Sequence, residues 1–442
     1  MIRWLLLSVG RTKSKIPKSI MEKEMSESEK KELIVSALGN VLVWYNFALF
    51  MPLLPILSKQ FFPIENTALR DLVTFFVMSM GLFMRPFGSL IFGPIGDKIG
   101  RERAISLAIL LMAIPTFLIG LIPNYEQIGI FAPILLFCMR TLQGISMGGE
   151  YTAAMVHLVE IAPSNKRGFC GSFSDAGSQV GVLLTGGVIL LLYLSFSEAE
   201  IYQYAWRIPF LLAIILVPFA FMHSEKKKEA KNSGKKKDLK KPSPKSIFAA
   251  LAEHKTEVLC TIAITAFSAI GFYTLLNFLP YYLVNKGILS LKDSATCSVI
   301  ANICVISSIL MSGFLSDFFS RKIFLQAGMI FVVATTYVMF LCNVTSTFAW
   351  ILIQGVYGLS LGMYYGSRAA FFSESFPKEI RCTGVSVSLS IAQAVFGGCI
   401  SMVLNYCISV SSFLVIVPVT LVIIVALFAI TKIKDRTGQK LI

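Results

Sequence analysis

An all-α membrane protein, with twelve transmembrane helices in two pseudo-symmetric six-helix bundles, is what this sequence predicts. Three observations predict it: a dozen apolar runs in series, one long basic break after the sixth, and positive charge concentrated in every second connection.

The apolar runs come first. Of 442 residues, 55% are hydrophobic and only 15% charged, where a soluble domain carries about a quarter charged residues. Residues 104–122, 323–342 and 412–431 each contain no charge at all. A helix of about 20 residues rises about 30 Å, the thickness of a hydrocarbon core. One such run fits a buried helix in a soluble protein. A dozen do not, because a soluble fold needs amphipathic surface helices. The expected spans are 33–58, 71–96, 104–122, 130–161, 169–195, 205–222, 258–284, 295–316, 323–342, 348–372, 385–407 and 412–431. Glycine and proline within them are compatible with helix, because neighbouring helices satisfy the freed backbone groups.

The break comes second. Residues 223–257 hold the run KKKEAKNSGKKKDLKKPSPK, too charged to form a core and expected to be a solvated linker. The expected organisation is a tail 1–32, a six-helix bundle 33–222, the linker 223–257, a second bundle 258–431 and a tail 432–442.

Third is the charge. Among the 40 Lys and Arg residues, one set of connections holds only Lys59, Arg70, Arg207, Lys286 and Lys292. Arg85, Arg140 and Arg368 lie within spans, and the rest fall in the other connections and the two tails. Positive residues stay on the cytoplasmic side. Both termini are therefore expected there, in a multi-pass protein of the cell inner membrane. The net charge of +15 then reads as topology and contact with anionic lipids, with no nucleic acid among the partners.

Chemistry of other kinds finds no support. The nine cysteines sit in or beside spans without a CxxC pair, and His157, His223 and His254 form no ligand spacing. There is no nucleotide loop or nucleophile elbow, so neither enzyme, metal nor organic cofactor is expected. Arg3 and the short apolar stretch after it imitate a signal peptide, and Met21 is an alternative start.

The halves repeat. Gly93-x-x-x-Asp97-x-x-Gly100-Arg101 follows span 2, and Gly313-x-x-x-Asp317-x-x-Ser320-Arg321 follows span 8. Glu160-x-x-Pro163-x-x-x-Arg167 ends span 4, and Glu374-x-x-Pro377-x-x-x-Arg381 ends span 10. On these motifs the chain resembles the major facilitator superfamily, although Glu102 stands where that family's loop usually has a second base. The resemblance implies two bundles rocking about a central site as a secondary transporter. It also implies that Gly93, Asp97, Gly100, Arg101, Glu160, Arg167, Asp317, Arg321, Glu374 and Arg381 form the cytoplasmic gate, the glycines for a tight turn. Arg85 is expected near the cytoplasmic end of span 2, in gating or structure.

A narrower likeness follows from Gly39-Asn40-x-x-x-Trp44-Tyr45-x-Phe47, from Arg85-Pro86-x-Gly88, from Arg140-x-x-Gln143-Gly144-x-x-x-Gly148-Gly149-Glu150 and from Phe396-Gly397-Gly398. It is to the metabolite:proton symporter family, which includes proline/betaine and α-ketoglutarate symporters. That family carries two acids in span 1, where this chain has Val43 and Asn46.

Charge inside a span is expensive, by ~2.5–3.5 kcal/mol at a helix centre, and marks candidate function. On span 4, Arg140, Gln143, Met147, Glu150 and Tyr151 fall within an arc of roughly 100°. Arg140 suits a substrate carboxylate and Glu150 proton exchange; the alternative is that both lock helices together. Asp175 is a second candidate acid, or the ion-pair partner of Arg140. Asn40, Trp44 and Tyr45 of span 1 offer an amide and aromatic rings, which suit a cationic ammonium or simple packing. These readings converge on proton-coupled uptake of a small zwitterion such as proline or glycine betaine, by a monomer whose coupling ion is the proton. A dicarboxylate symporter is the alternative, with Arg368 the spare cation, and a non-transporting sensor a third.

Overall fold

The computed structural model describes residues 25–215, 218, 247–341, 344, 346–439 and 441, and among them there are helices and no strands. Helix α1 is Glu27–Ala48. Helix α2 has two segments, Thr67–Phe83 and Arg85–Lys98, meeting at Met84. Helices α3, α4 and α5 are Arg101–Leu121, Phe131–Ile161 and Arg167–Ser195. Helix α6 is described from Ala205 to Ile215 as short helical pieces. In the second half, α7 runs through Lys255–Tyr273, a π-helical Thr274–Phe278 and Leu279–Asn285. Helices α8, α9 and α10 are Leu291–Leu315, Arg321–Leu341 and Thr347–Ser375. Helix α11 comprises Arg381–Ala392, a π-helical Gln393–Gly397 and Gly398–Val410, and α12 is Ile416–Lys432 after a 3₁₀ turn.

Seven helices among the described residues are long and apolar enough to cross a membrane unaided, the longest being Phe131–Ile161 with 31 residues. The remaining spans fall short for visible reasons. Helix α11 is broken by its π segment, α12 has 17 residues, α1 begins with acidic and basic residues, and α6 is described only from Ala205 to Ile215.

Caps fix where helices begin. Ser26 and Glu29 form a reciprocal capping box at α1, and Asn66 and Ser290 cap α2 and α8. Helix α1 therefore starts inside the expected tail 1–32. The expected linker is also shortened, because Ile247–Glu253 is helical and α7 starts at Lys255; residues 223–246 lie outside the described residues. Residues 247–253 read IFAALAE, good helix formers with no like-charge run to oppose them. The C-terminal tail returns to the bundles: Ser320 bonds Asp435, the Arg321 backbone N–H donates to Thr437 Oγ1 at 3.3 Å, and Arg167 donates to the Gln439 carbonyl at 2.5 Å.

Packing follows the internal repeat. Within the bundles α3 packs on α4, α2 on α4 and α1 on α5, while α9 and α8 pack on α10 and α7 on α12. Between the bundles α2 packs on α11 and α5 on α8, a symmetric pair of seams. Small residues permit the closest approaches. A Cβ on Gly88 would lie 1.9 Å from the Ile145 carbonyl oxygen, and one on Gly148 would lie 2.1 Å from that of Arg85. Gly148→Val is therefore expected to push α2 off α4 and to destabilise the protein by roughly 3 kcal/mol or more. Thermal unfolding in detergent checks this; an unchanged midpoint would show that the contact yields.

Candidate functional site

Two sets of charged residues meet where the bundles touch, one at the linker end and one halfway along the helices. At the linker end, Asp97 accepts the backbone N–H groups of Cys382 and Thr383, at 2.9 and 2.8 Å, and the Thr383 hydroxyl at 2.6 Å. It thereby caps the N-terminus of α11 from the opposite bundle. Asp317 does the same for α5, accepting from Gly168 and Phe169 at 2.6 and 2.9 Å. Arg101 pairs with Asp97 at 2.5 Å and Glu160 at 3.1 Å, and Arg381 reaches Glu160 at 2.6 Å. In the mirror position Arg321 forks onto Glu374 at 2.8 and 2.9 Å, and Arg167 lies 3.5 Å from Glu374. The structure thus brings together all the acidic and basic residues of the two repeated motifs.

The glycines work differently from expectation. Gly93 lies inside α2 and makes no turn. A Cβ there would sit 2.8 Å from Thr383 Cα, so its service is to let the bundles touch. Gly168 and Gly313 do the same at the other seam, where the Cβ of Gly168 would lie 2.6 Å from the Gly313 carbonyl. Of these four motif and seam glycines, Gly100 alone, at φ +127°, supplies a turn that other residues avoid.

Halfway along the helices a narrow cavity of about 30 Å³ opens between the bundles. Its walls include Trp44 of α1, Arg85 of α2, Tyr151 of α4, Asp175 of α5, Phe272 of α7 and Arg368 of α10. Ser390 and Gln393 of α11 line it too, the latter within the π segment. Such π turns often mark functional sites.

Arg368 and Asp175 form its electrostatic centre. Arg368 donates Nη2 to Asp175 Oδ1 at 2.5 Å and Nε to Oδ2 at 3.1 Å, a bidentate pair across the two bundles. Tyr151 donates its hydroxyl to Asp175 Oδ1 at 2.5 Å and also accepts from Arg368. Ser268 accepts from Arg368 Nη1 at 3.2 Å, and the Tyr365 ring lies 4.3 Å beneath the guanidinium. Asp175 therefore pairs with Arg368 and not with Arg140. The sequence shows both charges, but pairing them requires knowing that α5 faces α10.

Arg85 stands away from its expected position. It stands at the junction of the two segments of α2, mid-span and buried, and lines the cavity. Its carbon centre is 4.8 Å from the Phe47 ring and 5.7 Å from that of Trp44. Among the described residues neither Nε nor Nη2 has a hydrogen-bond partner.

Arg140 makes a separate knot outside the cavity walls. It donates to Gln143 Oε1 at 2.7 Å and to the Met78 carbonyl at 3.3 Å, between the rings of Phe47 and Phe50. Gln143 passes the chain on to Thr116 at 2.6 Å. On α4, helices α2 and α3 cover the Arg140 end of the predicted arc. Glu150 is fully buried, with neither carboxylate oxygen hydrogen-bonded among the described residues. Asn40 donates to Ser178 Oγ at 3.2 Å and to the Ser174 carbonyl, tying α1 to α5. Tyr45 points away from the cavity and donates to the Pro209 carbonyl at 3.1 Å. Trp44 faces it, edge-on to Tyr151 and Phe272 at 5.9 Å each. Val43 is buried apolar packing, and Asn46 donates back to the Leu42 carbonyl at 2.7 Å.

Known proteins resemble this chain in sequence and in fold. The Major Facilitator Superfamily model matches residues 36–402. The proline/betaine transporter of Escherichia coli (strain K12) is 32% identical over 390 residues, covering 83% of this chain and 76% of that protein. The citrate-proton symporter of Klebsiella pneumoniae is 31% identical over 363 residues, covering 81% of each. Among solved structures, the proton:xylose symporter XylE bound to 6-bromo-6-deoxy-D-glucose superposes with a TM-score of 0.73 at 17% identity, covering 92% of this chain and 96% of that one. That likeness is one of fold. With a matched family model over most of its length and two bundles meeting at a central cavity, the chain belongs to the major facilitator superfamily and is a multi-pass membrane transporter.

Proposed function

We propose that the protein takes up a small zwitterionic osmolyte, proline or glycine betaine, together with protons by alternating access. The observation that carries this reading is Arg85, a buried guanidinium with open donors, set beside Trp44 in a cavity also lined by Phe272 and Tyr365. A planar guanidinium matches a carboxylate, and ring faces attract an ammonium group. Trp44 Nε1, also without a partner, adds a donor. The named E. coli relative supports the same solute class. The coupling ion is the proton, one chain holds a complete cavity and acts as a monomer, and anionic lipids neutralise the basic loops. The basic linker end faces the cytoplasm, with both termini there, in the inner membrane.

The structure also gives the dicarboxylate reading a specific footing, because Arg368 brings a second guanidinium to the cavity. Asp175 neutralises it, which favours the zwitterion. Proteoliposomes with an imposed pH gradient separate the two. Labelled proline or glycine betaine should accumulate, and excess citrate or α-ketoglutarate should not compete. Accumulation of citrate with no uptake of either zwitterion would reverse the assignment.

A further inference from the structure

We propose that Gln179 selects the solute at its cationic end. Its side-chain oxygen accepts an N–H group, so the protein prefers proline and other zwitterions that carry N–H over fully N-methylated ones such as glycine betaine. The inference rests on the zwitterion reading and narrows its substrate class.

Gln179 stands on α5 one turn beyond Asp175, on the same face of the helix. It lines the cavity and is 4% exposed. A Cβ on Gly181 would lie 2.9 Å from Trp44 Cβ, so this turn of α5 packs beside Trp44. Arg85 approaches the same ring from α2, at 5.7 Å. The polarity of the unmet groups then decides which end of a solute each can take. Among the described residues, the buried side-chain nitrogens and oxygens of the cavity wall without a partner are Trp44 Nε1, Arg85 Nε and Nη2, and Gln179 Oε1. The three nitrogens are donors only and suit a carboxylate. Gln179 Oε1 is the acceptor of the set. The other side-chain oxygens that α4 and α5 bring to the wall are engaged. Asp175 accepts from Arg368 and Tyr151, and Ser178 donates to the Ser174 carbonyl at 2.9 Å. Thr152 shares its hydroxyl between the Gly149 carbonyl, at 3.2 Å, and Ser386.

A buried acceptor of this kind is satisfied by a solute N–H and stays desolvated and unpaired beside a methyl group. A pocket built around such a bond rejects the analogue that lacks it far more strongly than a change in size does. The proline ammonium carries two N–H groups, whereas glycine betaine carries three methyl groups and no N–H. The rings of Trp44 and Phe272 attract both cations by the same electrostatics, so they set affinity and leave the choice to Gln179.

The test is displacement of labelled proline from the purified full-length protein by solutes that differ in N-methylation. In the unaltered protein N,N-dimethylproline should displace about fivefold to 150-fold less well than proline itself, the factor for one buried hydrogen bond lost with its acceptor left unpaired. Azepane-2-carboxylate, an isomer of N,N-dimethylproline that keeps both N–H groups, should displace better than that isomer, which separates the N–H from size. Gln179→Leu removes the acceptor and should close the gap, by weakening proline while N,N-dimethylproline binds as before or more tightly. A role of Gln179 in packing alone would weaken every solute by the same factor and leave the gap. Equal displacement by proline and N,N-dimethylproline in the unaltered protein would overturn the proposal, as would a gap that survives Gln179→Leu. If Gln179→Leu does not fold, Gln179→Met takes its place, and the order in the unaltered protein decides without any variant. A zwitterion that binds without the gap removes this proposal only. Binding of citrate with no binding of proline, glycine betaine or their analogues removes the zwitterion reading and the proposal with it.

Discussion

Arg85→Ala is expected to weaken binding of a carboxylate solute by about thirtyfold to several-thousandfold, while the protein still inserts and elutes as a single species. The range converts the roughly 2–5 kcal/mol lost when one partner of a buried charged hydrogen bond is removed. Arg85 makes little use of its guanidinium in the fold, since Nε and Nη2 have no partner. Its removal should therefore cost binding far more than stability. Arg85→Lys should fall between, keeping the charge and losing the fork. Arg140→Ala supplies the contrast. Arg140 holds Gln143 and the Met78 carbonyl, so its loss should lower the unfolding midpoint and shift affinity only a few-fold. Equilibrium binding of labelled proline, with thermal unfolding in parallel, checks both. Equal loss of affinity in the two variants would move the carboxylate site back to α4.

The second large effect belongs to the linker-end contacts. Asp97→Ala removes an acceptor from two backbone N–H groups and one hydroxyl of the other bundle, and leaves Arg101 with one carboxylate fewer. A lost cap costs about 0.5–2 kcal/mol, and a charge-assisted bond lost with it brings the total to roughly 2–4 kcal/mol. The ratio of closed to open linker ends should then fall by about thirtyfold to a thousandfold. Cys382 is a built-in reporter, fully buried and packed against Gly96. In a background where the other cysteines are replaced, Asp97→Ala should speed its labelling from the linker side by a comparable factor. Asp317→Ala breaks the mirror contact on α5 and should act additively, because the two caps share no partner. Labelling at the original rate in the double variant would show that the salt bridges alone hold the ends together.

Much of the fold was legible in the chain because each signal is local. A run of about 20 apolar residues declares a span by itself. The two motifs that recur 214 and 220 residues apart carry the pseudo-symmetry; position 160 recurs at 374, and position 97 at 317. That was enough to foresee Asp97, Arg101, Glu160 and their counterparts meeting at one end. Span boundaries drifted by several residues because helices continue past the hydrocarbon wherever a cap permits, as at Ser26.

The centre was not legible, for a physical reason. Periodicity fixes which residues share a face of one helix, but not what covers that face. Arg140 and Glu150 do lie along one side of α4, yet α2 and α3 close over Arg140, and Arg85 at the break of α2 takes the open position. Arg368 and Asp175 stand 193 residues apart, and only the crossing of α10 with α5 makes them a pair. The sequence alone determined a twelve-span, two-bundle transporter and the charges that meet at its linker end, because burial in lipid constrains every segment separately. The tertiary structure alone decided which intramembrane charges neutralise one another and which keeps unpaired donors among the described residues, because that depends on the packing of bundles distant in sequence.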